Sequence, residues 1–129
     1  MQVAQKSDIV FSIVGFPSDV NEVMLGPDGV VNNIRGGGIV VDMTTSEPSL
    51  AISIAEIGRL RNVQVMDAPV SGGDIGARNA ALSIMCGGDL DAFNTVVPYF
   101  NLMGKNIRRM GEAGCGQHTK MVVFFVHWS

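Results

Sequence analysis

Gly36-Gly37-Gly38-Ile39-Val40-Val41-Asp42-Met43-Thr44-Thr45-Ser46-Glu47-Pro48 leads through Leu50, Ile54 and Ile57 into Val63-Gln64-Val65-Met66-Asp67, and the fold can be read outward from this stretch. Residues 39–43 are an apolar run launched from three glycines, and residues 63–66 are a second run. Runs that are continuously apolar, rather than alternating, are the mark of strands covered on both faces. Between the two runs, Pro48 suits a first helical turn, where a missing N–H costs little, with Ser46 or Glu47 ahead of it. Leu50, Ile54 and Ile57 then recur at helical spacing. Strand, helix and strand in succession predict a parallel pair with the helix lying on the sheet.

The same alternation extends both ways. Residues 9–14 are a short apolar run bounded by Asp8 and Gly15, and residues 1–8 read as the end of a helix entering it. Residues 81–86 form a fourth run closed by Gly87-Gly88, and residues 106–110 form a weaker fifth. Ser18 and Asp19 can cap a helix carrying Val20, Val23 and Met24. Asp89 and Asp91 open another through Phe93, Val96 and Val97, with acids near the positive end of the helix dipole. An α/β fold with a mainly parallel sheet is expected.

Bulk properties narrow the function. The 129 residues suit one folded unit, with 47% apolar and 16% charged residues. A net charge of −3 and scattered basic residues, with Arg108-Arg109 the one adjacent pair, exclude a nucleic-acid-binding or anionic-membrane-binding field. No apolar run approaches the length that crosses a bilayer. Cys86 and Cys115 form neither a metal-binding spacing nor a disulfide framework, so no metal is expected and a reducing, intracellular setting is. The sequence shows no Ser-His-Asp order, zinc spacing or phosphate-binding loop of the P-loop type, and its start is neither a signal nor a transit peptide.

Ligands in open parallel sheets bind beyond the carboxyl ends of the strands. The residues expected there are Gly15-Phe16-Pro17-Ser18, Thr44-Thr45-Ser46-Glu47-Pro48 and Asp67-Ala68-Pro69-Val70-Ser71-Gly72-Gly73. Two glycines after Ser71 let backbone N–H groups approach an anion, with the hydroxyl as a further donor; read alone, Ser-Gly-Gly is equally a plain turn. Gly114-Cys115-Gly116 before Gln117-His118-Thr119-Lys120 resembles an anion-binding helix start. A partly desolvated Lys120 there is a workable general acid or base, although an unplaced lysine is more often solvated. His118 reads as incidental and Cys115 as a small spacer. Asp42 and Asp67, at strand ends, read as caps of neighbouring backbone.

Taken together, these motifs resemble those of the β-hydroxyacid dehydrogenases, and most closely the proteins similar to 3-hydroxyisobutyrate dehydrogenase. Residues 67–73 resemble the family's substrate-binding signature, and Asp42-Met43-Thr44-Thr45 with Pro48 its nicotinamide-side loop. Gly114-Cys115-Gly116-Gln117-His118-Thr119-Lys120 resembles its Gly-x-Gly-x-x-x-Lys motif, and residues 15–18 the loop along the cofactor. The resemblance implies NAD or NADP as cofactor and a small carboxylate substrate, a 3-hydroxy acid or aldehyde acid. It implies Lys120 as general acid/base and Ser71, Gly72 and Gly73 as holders of the substrate carboxylate. It implies Thr45, Phe16 and Pro17 as cofactor contacts. Succinic semialdehyde, glyoxylate, tartronate semialdehyde and methylmalonate semialdehyde all fit.

The resemblance also defines two departures. The family opens on a strand, Gly-x-Gly-x-x-Gly and a helix that grips the pyrophosphate; no such motif occurs here, and Gly36-Gly37-Gly38 precedes a strand rather than following one. The family places Asn four residues after the lysine; this chain has Phe124, followed by a tail that reads as unrelated sequence. The expectation is a partial Rossmann-like domain of the 6-phosphogluconate dehydrogenase type. It would lack the first βαβ unit and the C-terminal helical domain, with residues 1–113 in that domain and 114–129 beginning an interdomain helix. Such a chain is expected to be inactive alone, in a mitochondrial or cytoplasmic setting. The alternative is a noncatalytic module that pairs with a full-length homologue, itself open to homo-oligomer formation, through uncovered Phe124, Phe125 and Trp128.

Overall fold

The chain builds one mixed sheet with helices on both faces. The computed structural model describes residues 8–13, 17–71 and 82–128, and for 17–19 and 123–128 it gives the backbone course. Strands are β1 Ile9–Ser12, β2 Ile39–Asp42, β3 Gln64–Asp67, β4 Val70–Ser71, β5 Leu82–Gly87 and β6 Gly104–Gly111. Helices are α1 Pro17–Leu25, α2 Val30–Asn33, α3 Pro48–Leu60, α4 Leu90–Phe100 and α5 Cys115–Trp128. The reading of residues 1–8 as a helix end falls, but for Asp8, outside the described residues.

β1, β2 and β3 run parallel, with Ser12 beside Asp42 and Asp42 beside Asp67. The carboxyl ends of these three strands therefore share one edge. β5 and β6 are parallel to each other but opposed to the first set. The sequence reading of a mainly parallel sheet thus holds within each set and misses the reversal between them.

The reversal is made by one strand in two pieces. Asp67 lies opposite Gly87, Val70 opposite Ile84 and Ser71 opposite Ser83, so β3 and β4 keep a single register along β5. Pro69 interrupts the ladder because it has no N–H to donate. Its carbonyl still accepts from Met85 N at 3.1 Å, which holds the register across the gap.

Both faces of β2 and β3 are covered, as their unbroken apolar runs imply. Val40, Val63 and Val65 pack with Val20, Met24, Val30, Val31, Ile34 and Ile54 from α1, α2, α3 and their connections. Ile39, Val41 and Met66 point the other way, toward Ile84, Cys86 and the α4 residues Ala92, Val96 and Phe100. Alternate residues of one strand thus serve two cores. Each fully buried Val or Ile contributes roughly 1.5–3 kcal/mol relative to exposure. β1 is only half-buried along its length.

α4 begins at the cap foreseen in the sequence, with Asp89 Oδ2 accepting from Ala92 N at 3.1 Å. α5 runs on as helix to Trp128, through the tail that read as unrelated. The expectation of uncovered Phe124, Phe125 and Trp128 concerns side chains outside the described residues. Among the described residues no helix is long and apolar enough to cross a membrane.

Candidate functional site

The site forms where α5 drives its N-terminus into the carboxyl-end edge of β2 and β3. Asp67 closes β3 and is 3% exposed. Its Oδ1 accepts from Gly114 N at 2.8 Å and its Oδ2 from Gln117 N at 2.9 Å. A carboxylate from the sheet thus fills the donor set and faces the positive end of the helix dipole. The glycine-started helix that resembles an anion site is therefore satisfied by an internal anion, the capping role that the sequence reading gave Asp67.

Two glycines make this approach feasible. Gly114 adopts φ +93°, in the left-handed region that favours glycine. A Cβ on Gly116 would lie 2.5 Å from the Met85 carbonyl and 2.7 Å from that of Asp67. The spacer between them, Cys115, is half-buried, and His118 is exposed.

Burial raises the proton affinity of Asp67, and the hydrogen bonds from Gly114 and Gln117 offset part of that rise. Asp42, its neighbour across the sheet, is raised first by burial, with opposing bonds from Thr44 and a smaller push from the Asp67 charge. Its Oδ1 accepts from Thr44 N at 3.0 Å, again a cap on local backbone. The Cys86 thiol is pushed up to about 12, chiefly by burial, so it stays protonated and unreactive at neutral pH.

Lys120 lies further along α5, half-buried, with Nζ donating to the Val70 carbonyl at 3.0 Å. Desolvation lowers its proton affinity below that of an ordinary lysine. Val70 is the residue before Ser71, so the ammonium is tethered where the predicted carboxylate-binding segment begins. Lys120, Gln117 and Met121 of α5 face Thr45, Ser46, Glu47 and Pro48 across a groove of about 300 Å³. The structure therefore brings Thr45 and Lys120, predicted from separate motifs, onto the walls of one groove. Thr45 is exposed, and Ser46 Oγ is buried with no hydrogen-bond partner among the described residues.

Other predicted residues fare differently. Ser71 is placed in β4, half-buried. Phe16, Gly72 and Gly73 lie outside the described residues. Pro17 starts α1, and its side chain also falls outside them. Gln117 was missed by sequence reasoning. It is 1% exposed and hydrogen-bonds the loop after β2 through both side-chain atoms. Its signal in the sequence was only its place inside the Gly-x-Gly-x-x-x-Lys segment.

Residues 1–111 match the family described as the NAD binding domain of 6-phosphogluconate dehydrogenase. The chain belongs to this family. A probable 3-hydroxyisobutyrate dehydrogenase-like 1, mitochondrial, of Arabidopsis thaliana is 52% identical over 120 residues, covering 92% of this chain and 36% of that protein. The uncharacterized oxidoreductase YkwC of Bacillus subtilis (strain 168) is 50% identical over 119 residues, covering 92% of this chain and 41% of that protein. Among solved structures, a 3-hydroxyisobutyrate dehydrogenase of Mycobacterium tuberculosis with L-serine superposes with a TM-score of 0.90 at 26% identity. That match covers 98% of this chain and 42% of the other. The family member described here thus spans about 40% of the length of such relatives. Its fold is the α/β, largely parallel arrangement of that nicotinamide-dinucleotide-binding family.

Proposed function

We propose that these residues form the substrate-facing part of an NAD- or NADP-dependent 3-hydroxy acid dehydrogenase. The observation that carries this is the single groove shared by Thr45 and Lys120, with the lysine tethered at Val70, next to Ser71. The groove suits a nicotinamide group: Pro48 and Met121 offer apolar surface to a flat ring, and the exposed Thr45 offers a polar contact. When bound, the cofactor supplies the hydride acceptor or donor.

The protein's part is to orient and to move a proton. Lys120 takes the proton from the substrate hydroxyl during oxidation and returns it during reduction. Its lowered proton affinity brings it closer to the pH at which it works in both directions. The Val70 carbonyl holds Nζ in place until a substrate oxygen takes over. Ser71, Gly72 and Gly73 hold the substrate carboxylate, which fixes which carbon faces the nicotinamide. Phe16 and Pro17 line the cofactor's path. No strand-Gly-x-Gly-x-x-Gly unit occurs in these 129 residues to grip the pyrophosphate. The chain by itself is therefore expected to bind the nicotinamide end without turning over.

Titration with nicotinamide mononucleotide and 3-hydroxyisobutyrate, followed by NMR, tests this reading. Amide shifts at Thr45 and Ser46 and side-chain shifts at Lys120 are expected. Shifts confined to other surfaces would overturn the assignment. A parallel assay with NADH or NADPH and methylmalonate semialdehyde should show no turnover; turnover abolished by Lys120→Ala would uphold the site and refute the inactivity.

A further inference from the structure

Three hydrogen bonds meet at Gln117. Its main-chain N–H donates to Asp67 Oδ2 at 2.9 Å, Nε2 donates to the Thr44 carbonyl at 2.7 Å, and Oε1 accepts from Ser46 N–H at 2.9 Å. The Thr44 carbonyl and the Ser46 N–H belong to the two peptide groups that flank Thr45. One buried side chain therefore grips the backbone on both sides of the exposed threonine. The same residue is pinned to the sheet by Asp67 and stands one helical turn before Lys120.

We infer that Gln117 is a positioning residue that sets the separation of the groove walls, locking the Thr45 loop to the helix that carries Lys120. A primary amide suits this task because it donates and accepts at once. Glutamate at neutral pH would face the Thr44 carbonyl with a second acceptor, asparagine is too short, and methionine satisfies neither peptide group. Losing the amide takes one partner from the buried Thr44 carbonyl and the acceptor from the half-buried Ser46 N–H, which frees the loop to shift toward water. What is positioned rests on the proposed nicotinamide site; the lock itself does not.

The test uses the whole chain with Gln117→Met, and Gln117→Leu, which likewise leaves Ser46 N–H without its acceptor, as a second substitution in case the first fails to fold. Amide hydrogen exchange is read at Ser46, and at Gly114 and Gln117, whose N–H groups bind Asp67. Exchange at Ser46 should accelerate about tenfold or more while Gly114 and Gln117 stay protected. Equal acceleration at all three positions, or none at Ser46, would overturn the lock. Affinity for nicotinamide mononucleotide is read in parallel. A loss of roughly tenfold, the scale of one stranded buried group, supports the positioning role at the proposed site. Selective loosening of Ser46 in a chain whose wild type does not bind the mononucleotide would uphold the lock and reject the nicotinamide reading. Unchanged affinity beside a loosened loop would overturn the positioning role.

Discussion

A methyl group added at Gly116 would have to share space with two carbonyl oxygens of the sheet, those of Met85 and Asp67. Helix propensity alone favours Ala over Gly by about 1 kcal/mol. Here the neighbours are backbone, which cannot rotate away, so the steric cost wins. Gly116→Ala is expected to lower stability by roughly 1–3 kcal/mol, read as a fall in the urea midpoint at constant slope. Gly36→Ala is the matched control, because the nearest atom to its Cβ is Asn62 Nδ2 at 3.6 Å; its midpoint should move by no more than about 0.5 kcal/mol equivalent. Equal effects of the two substitutions would show that α5 is not seated on the sheet as closely as described. At this scale the sequence revealed Lys120 through its motif and Asp67 through its place at a strand end. It could not reveal Gln117, whose partners Thr44 and Ser46 lie more than seventy residues away along the chain.

Among the elements, α4 gives the plainest link from residue to local structure. Asp89 stands at its N-terminus in an extended conformation and accepts from Ala92 N, so one of the helix's orphan donors is satisfied by a charged acceptor. Asp89→Ala should cost about 1 kcal/mol. The loss should show as a lower urea midpoint with faster amide exchange concentrated at Ala92; an unchanged midpoint would mean that water replaces the cap at no cost. This helix and β1, β2, β3, β5 and β6 could be read from sequence because their apolar spacing is local. The two elements that escaped were short or interrupted. α2 is a single turn, Val30–Asn33, too brief to show a period. β4 is two residues long and becomes a strand only through its partners Ile84 and Ser83, beyond the break at Pro69. The reversal of β5 against β3 likewise depends on pairing that the apolar runs do not encode.

For the whole molecule, the two carboxyls at the ends of β2 and β3 set a pH dependence whose sign is fixed. Asp42 and Asp67 each hold a proton more tightly in the folded chain than in the unfolded one, because burial penalises the charge. Between the ordinary carboxylate value and their raised folded values, the folded state carries more bound protons. Stability therefore falls as pH rises through that window and levels off once both groups are ionised in the folded chain. Each unit separating folded from unfolded values corresponds to about 1.4 kcal/mol. Lys120 acts with the opposite slope at alkaline pH, since its proton affinity is lowered by folding: stability rises with pH between its folded value and that of an ordinary lysine. Urea midpoints measured in steps from pH 4 to pH 8 should decline on the acid side and then flatten. Asp42→Asn keeps an oxygen for Thr44 N–H but removes one titrating group, so its decline should be shallower than that of the wild type. A wild-type midpoint that rises through the acid window would mean that the bonds from Gly114 and Gln117 outweigh burial at Asp67, and that the anchor of α5 is strongest when charged.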